Sequence, residues 1–311
     1  MSESSQDNIN NPDGSITSVP TRFPYVPATP EPSPQNPVVS KDITVNRSKS
    51  TWMRLYVPTA ALNGGSSEKL PLVVYYHGGG FATGSVDFYP HHDFCNLMAR
   101  ELNAVFASPS YRLAPVNRLP AAYNDGVDDL EWIKDSDDDE WIKSYADLSN
   151  VFLMGTGSGG NLAYNVGLRA ANLVAPLHIP GLILHQPFFG GEERCESEIN
   201  VNFPHILSDA CWQLCLPVGA NRDHEYSNPT VGDGPKQMEK IGRLGRNWKV
   251  VVIGRERHRL IDRHRDVAKL MDQGVDVTEH FTDGDVHGAE LVNQGETTLA
   301  CIRSIIYSSS P

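Results

Sequence analysis

Short apolar runs and stretches of helical periodicity alternate along most of this chain. Leu72-Val73-Val74-Tyr75-Tyr76 is a continuous apolar block, as expected of a strand covered on both faces, and Thr51-Trp52-Met53-Arg54-Leu55-Tyr56-Val57 reads as an edge strand. Residues 104–108, 151–154, 181–185, 248–253 and 275–281 continue the strand series. The spacing predicts helices between them, over 88–102, 120–134, 159–172, 262–273 and 287–308. Strands alternating with helices of this length imply an α/β fold, with a mostly parallel central sheet and helices on both faces. Residues 195–230 lack a strand pattern and are expected to form a cap insertion within a single domain spanning 41–311.

Residues 1–40 hold eight of the 22 prolines and few large apolar side chains, which predicts an extended N-terminal arm. With 311 residues, 40% apolar and 21% charged, the remainder suffices for one large core. A formal charge of −12 leaves no basic surface to neutralise phosphates, so nucleic acid is excluded as a partner. The acidic run Asp135 to Glu140 reads as a solvated loop beside a helix end, since it lacks the glycine turn and distal glutamate of a calcium loop. Neither a metal nor a cofactor is expected. Cys95, Cys195, Cys211, Cys215 and Cys301 contain no Cys-x-x-Cys pair, and Cys211 and Cys215 are spaced to share one helix face. Reduced thiols, no apolar leader-like segment and no run of ~18 apolar residues predict a cytoplasmic protein with no membrane partner. The expected state is a monomer or weak dimer acting on a small-molecule substrate.

Chemistry concentrates at the ends of three predicted strands. Val151-Phe152-Leu153-Met154 runs into Gly155-Thr156-Gly157-Ser158-Gly159-Gly160-Asn161, the outline of a strand–turn–helix nucleophile elbow. His77-Gly78-Gly79-Gly80-Phe81 directly follows Leu72–Tyr76, and its glycines let backbone N–H groups converge on one ligand atom. Asp283-Gly284-Asp285-Val286-His287-Gly288 lies between the last strand and the last helix, placing a residue that can move protons near neutral pH.

Together these segments resemble plant carboxylesterases of the hormone-sensitive-lipase-like group, relatives of gibberellin receptors and of esterase-derived plant cyclases and dehydratases. The resemblance covers almost the whole chain and implies an α/β-hydrolase fold with a cap or lid. The N-terminal arm, through Asp13-Gly14-Ser15 and Phe23-Pro24, would supply part of that lid. Laid on the family's Gly-Asp-Ser-Ala-Gly-Gly-Asn without a gap, the nucleophile position falls on Gly157 and the adjacent oxyanion-hole N–H on Ser158. Gly79 and Gly80 would complete that hole. His287 matches the family's histidine, and the aspartate position after the preceding strand falls on His258. Glu256 or Asp262 would be the substitutes for this acid, although Asp262 is also placed to cap the following helix. Tyr111-Arg112-Leu113-Ala114-Pro115 resembles a family segment that joins a strand to a helix and is read as structural.

A glycine at the nucleophile position and a histidine at the acid position imply a degenerate triad. The leading expectation is therefore a non-hydrolytic enzyme, a cyclase, lyase/dehydratase or isomerase of plant specialised metabolism. It would use the oxyanion hole at Gly79, Gly80 and Ser158 with His287 as acid and base. One alternative is a residual carboxylic-ester hydrolase using Ser158 or activated water. The other is a small-molecule-binding protein on the hydrolase scaffold.

Overall fold

The computed structural model describes residues 6–10, 16–20, 24–33, 36–63, 68–136, 139–170, 177–199, 206–237, 248–284 and 295–307. Near the N-terminus, β1 (Gln6–Asn10) and β2 (Ile16–Pro20) pair antiparallel as a separate two-stranded sheet within the proline-rich arm. The main sheet has eight strands: β3 (Val38–Asn46), β4 (Thr51–Pro58), β5 (Leu70–Tyr76), β6 (Val105–Pro109), β7 (Ala146–Thr156), β8 (Gly181–His185), β9 (Lys249–Arg255) and β10 (Asp276–Thr282). Their spatial order is β10-β9-β8-β7-β5-β6-β4-β3, parallel from β10 to β6 and antiparallel where β4 joins β6 and β3 joins β4.

The helices are α1 (Thr59–Asn63), α2 (Tyr89–Leu102), α3 (Ala121–Lys134), α4 (Glu140–Tyr145), α5 (Ser158–Ala170), α6 (Glu196–Ile199), α7 (Ile206–Cys215), α8 (Ile261–Met271) and α9 (Glu296–Tyr307). Strand β5 shows why its apolar block has no gaps. Leu72, Val74 and Tyr76 join one buried cluster with Tyr123 of α3, Leu162 and Val166 of α5 and Val267 of α8. Val73 and Tyr75 join another with Phe94 and Met98 of α2 and Ile302 of α9. Period-2 alternation thus sends neighbouring residues into two different cores, and neither face can be polar.

Two expectations need correction. The segment 51–57 is not an edge strand, because β3 pairs along its whole length through contacts such as Lys41 with Leu55, and Met53, Leu55, Tyr56 and Val57 are fully buried. Asp262 does not cap α8: the cap position is Leu260, with no side-chain capping bond, and the Asp262 carboxylate accepts from the Ser197 N–H at 2.8 Å. The acidic run is partly described. Asp139 caps α4 by accepting from the N–H groups of Trp141 and Ile142, and it ion-pairs with Lys41 at 2.8 Å.

Candidate active site

The parallel strands β5, β7 and β9 all end at the same edge of the sheet, where this architecture places ligands. Gly155 is in register with Tyr76, so the turn after β7 and the loop after β5 start as neighbours. The turn is tight. A Cβ on Gly159 would lie 1.9 Å from the Tyr76 carbonyl oxygen, so the second residue of α5 can only be a glycine. Gly157 sits at the tip with φ +58, the left-handed backbone of an elbow residue. Its N–H donates to the His185 carbonyl at 3.0 Å. Its own carbonyl accepts from Phe188, Gly160 and Asn161 at 2.8 to 3.2 Å. The elbow is therefore rigid although its tip residue has no side chain.

Across from it, the loop His77–Phe81 carries positive φ at Gly79, Gly80 and Phe81. The N–H groups of Gly79, Gly80 and Ser158 have no hydrogen-bond partner among the described residues. His77 is buried beneath the loop, its ring stacked on Tyr111 at 4.4 Å. Burial holds its pKa down at about 4, despite the bond from its Nδ1 to the Gly78 carbonyl, so it is neutral. Tyr111 donates its hydroxyl to the His77 carbonyl at 2.7 Å and lies beside the Ser158 hydroxyl. Ser158 is 1% exposed, and its oxygen has no well-formed bond.

His258 lies in the loop between β9 and α8, 2% exposed. Its Nδ1 accepts the Leu260 N–H at 3.2 Å, which leaves the ring proton on Nε2, and its ring stacks on His264 at 5.4 Å. Of the substitutes for an acid, Glu256 is turned outward to Arg265, and Asp262 is engaged with Ser197. His287 lies outside the described residues.

The short helix α7 packs against the loop. The Cys211 sulfur of α7 would stand 2.5 Å from a Cβ on Gly80, and Trp212 stacks flat on Phe188 at 4.4 Å while also meeting Phe81. Charges tether this layer. Arg194 pairs with Glu198 and Asp209, Arg222 with Asp209 and Glu192, and Arg263 of α8 with Glu198 at 2.8 Å. Burial pushes the Glu198 carboxyl up, but bonds from Cys195 and Arg263 outweigh it and hold it below its usual range.

Sequence reasoning missed Tyr111, Cys211 and Trp212, since each reaches the site through tertiary packing. Asn161 was within reach as the end of the Gly-Gly-Asn run. It accepts from the Tyr123 hydroxyl and donates to the Phe188 and Tyr226 carbonyls, anchoring α5 to the segments beside it. The Tyr-Arg segment behaves as a joint, because Arg112 grips the buried Asp125 of α3 with two nitrogens.

Comparison with known proteins agrees with this architecture. Residues 73–291 match the family described by the alpha/beta hydrolase fold. The chain is 61% identical to carboxylesterase 20 of Arabidopsis thaliana, over 96% of its length and 94% of that protein. It is 41% identical to the 3-O-acetylpapaveroxine carboxylesterase CXE2 of Papaver somniferum, over 91% and 93% respectively. Among solved structures, a Pyrobaculum calidifontis esterase superposes with a TM-score of 0.70 at 26% identity, covering 86% of this chain and 84% of that one.

These findings overturn the expectation of a cyclase, lyase or isomerase. That reading inferred a different reaction from single residues at Gly157 and His258, whereas the surrounding backbone is built as a hydrolase elbow and the relatives named above are carboxylesterases and an esterase. With the elbow, the glycine loop and the extent of similarity all in agreement, the chain belongs to the plant carboxylesterase family of α/β-hydrolases.

Proposed function

We propose that this chain hydrolyses carboxylic esters of small molecules. The observation that carries the reading is the set of three N–H groups at Gly79, Gly80 and Ser158 that have no partner among the described residues. Donors left open in this way suit the oxygen of an ester carbonyl as it becomes an oxyanion. The attacking group is water held over Gly157, since the Ser158 hydroxyl is buried against Tyr111. His287, by its position between β10 and α9, takes the proton of that water as its oxygen bonds to the carbonyl carbon. It then returns the proton to the departing alcohol as the ester C–O bond breaks. Acetate esters are the first substrates to assay, given the 41% identity to a carboxylesterase named for an acetylated compound.

The test is hydrolysis of p-nitrophenyl acetate and butyrate by the purified chain, with mass spectrometry of the protein during turnover. Turnover should survive Ser158→Ala within a few-fold and fall by ~10²–10⁴ in His287→Ala. No hydrolysis of either ester would sink the hydrolase reading. An acyl adduct on Ser158 would leave the hydrolase reading standing but replace water with that hydroxyl as the nucleophile.

A further inference from the structure

A cavity lies on the flank of α5, remote from the elbow. It is formed by Tyr164, Leu168 and Arg169 of the helix with Glu225, Tyr226 and Pro229 of the segment that follows α7, and its volume is about 250 Å³. At ~1.5 Å rise per residue, its helical wall lies about 9 to 17 Å from Ser158 along α5.

Three polar groups in this cavity are incompletely used. Tyr164 is 2% exposed, yet its hydroxyl has no hydrogen-bond partner among the described residues. A buried hydroxyl left in that condition costs ~1–3 kcal/mol unless something else satisfies it. Arg169 makes no ion pair among the described residues. Its Nη1 donates to the Asn165 carbonyl and side chain at 3.0 and 3.1 Å, and its guanidinium lies over the rings of Tyr123 at 4.6 Å and Tyr226 at 5.6 Å. The stacking fixes the plane of the fork and leaves its other nitrogens for a ligand. Glu225 likewise has no cation partner among the described residues and accepts only from Gln237 at 3.3 Å.

A guanidinium and a carboxylate that line one small cavity without neutralising each other, beside an unsatisfied hydroxyl, match a ligand carrying both charges. We propose that this cavity is a binding site for a small zwitterion, a free α-amino acid of about leucine size. The ligand carboxylate pairs with Arg169 in the planar geometry that suits that group, and its ammonium pairs with Glu225. Tyr164 completes the polar contacts, and Leu168 and Pro229 face the aliphatic side chain. The volume falls below the ~300–1,000 Å³ of sites for drug-sized ligands, which restricts the occupant to a small molecule.

The experiment is saturation-transfer NMR and calorimetry on the full chain with L-leucine, leucinamide and N-acetyl-leucine as probes. Leucine should bind, and the two analogues, each lacking one charge, should bind at least about tenfold more weakly. Arg169→Gln and Glu225→Gln should each weaken leucine by about tenfold or more, and Tyr164→Phe by a few-fold. Arg169 and Glu225 are partly exposed and Tyr164 is buried, and all three lie outside the elbow and its loop, so ester turnover serves as the control for correct folding. Absence of leucine binding at ~10 mM, equal binding of either analogue, or unchanged affinity in Arg169→Gln would each overturn the proposal.

Discussion

The Cys211 sulfur lies so close to Gly80 that a Cβ on that glycine would stand 2.5 Å from it. The lid helix and the oxyanion loop therefore share one contact surface, and Gly80 is held at φ +63 beneath it. Gly80→Ala should displace the loop and lower kcat/KM by ~10²–10³, the cost of removing one oxyanion donor. Cys211→Ala should be nearly silent alone. In the Gly80→Ala background it should return part of the lost activity, because it deletes the nearest colliding atom. Equal losses in the single and double variants would show that the contact is not the cause.

Gly157 holds the backbone of an elbow residue without a side chain to attack from it. Gly157→Ser should raise p-nitrophenyl ester turnover and introduce a pre-steady-state burst, at a strain cost of ~1–3 kcal/mol for a non-glycine at this φ. Adding His258→Asp should raise turnover further, since a carboxylate stabilises the imidazolium that a neutral ring does not. A burst-free Gly157→Ser variant with unchanged turnover would count against the elbow assignment.

Acid should unfold this protein through its buried histidines. Burial lowers His77 to about 4. It lowers His91 to about 3, with the neighbouring His77 adding to the effect. His92 is lowered to about 4 by burial and by Arg54. Each is neutral when folded and protonates near 6.5 when unfolded, so the stability tied to it is whole above pH 6.5. It is lost as pH falls toward 4, by ~1.4 kcal/mol per pH unit per histidine. Thermal midpoints measured from pH 7 to pH 4.5 should fall steadily, and His91→Gln should flatten that slope. A flat wild-type profile would refute the assignment.

Asp129 acts in the opposite direction. It is fully buried on α3, neither carboxyl oxygen has a hydrogen-bond partner among the described residues, and burial raises its pKa well above the usual range, with Asp125 and Asp128 adding to the effect. Its folded form retains a proton that the unfolded chain releases near 3.8, so it lowers stability progressively as pH rises above that value. Asp129→Asn should therefore stabilise the protein, with a gain over wild type that is larger at pH 8 than at pH 5. A constant difference across that range would show that the carboxyl is not protonated in the fold.

The elbow and the glycine loop were legible because both are local. Their shapes depend on glycines at fixed spacing beside an apolar block, and β5, β8 and α2 fall within two residues of where the periodicity puts them. Strand β3 was not legible. Its first residues, Val38, Val39 and Ser40, are buried, whereas from Lys41 onward it alternates, and it follows directly on the proline-rich arm. Without β3, the paired and buried β4 looked like an edge. The lid contacts of Cys211 and Trp212 could not be read either, since they depend on how α7 settles over a loop more than a hundred residues earlier. The functional expectation went astray at two positions, Gly157 and His258, where side-chain identity was read as reaction type while the backbone still had the geometry of a hydrolase.

The pairs joining Arg194, Glu198, Asp209, Arg222 and Arg263 form one connected charge network that ties α6 and α7 to the segments beside them. The sheet and its helices are held by apolar burial, which dissolved salt leaves intact or strengthens, whereas partly exposed ion pairs weaken as counterions screen them. The more exposed members of this network, Asp209 with Arg194 and Arg222, are therefore the contacts expected to weaken first as salt is raised, before the apolar packing of the sheet.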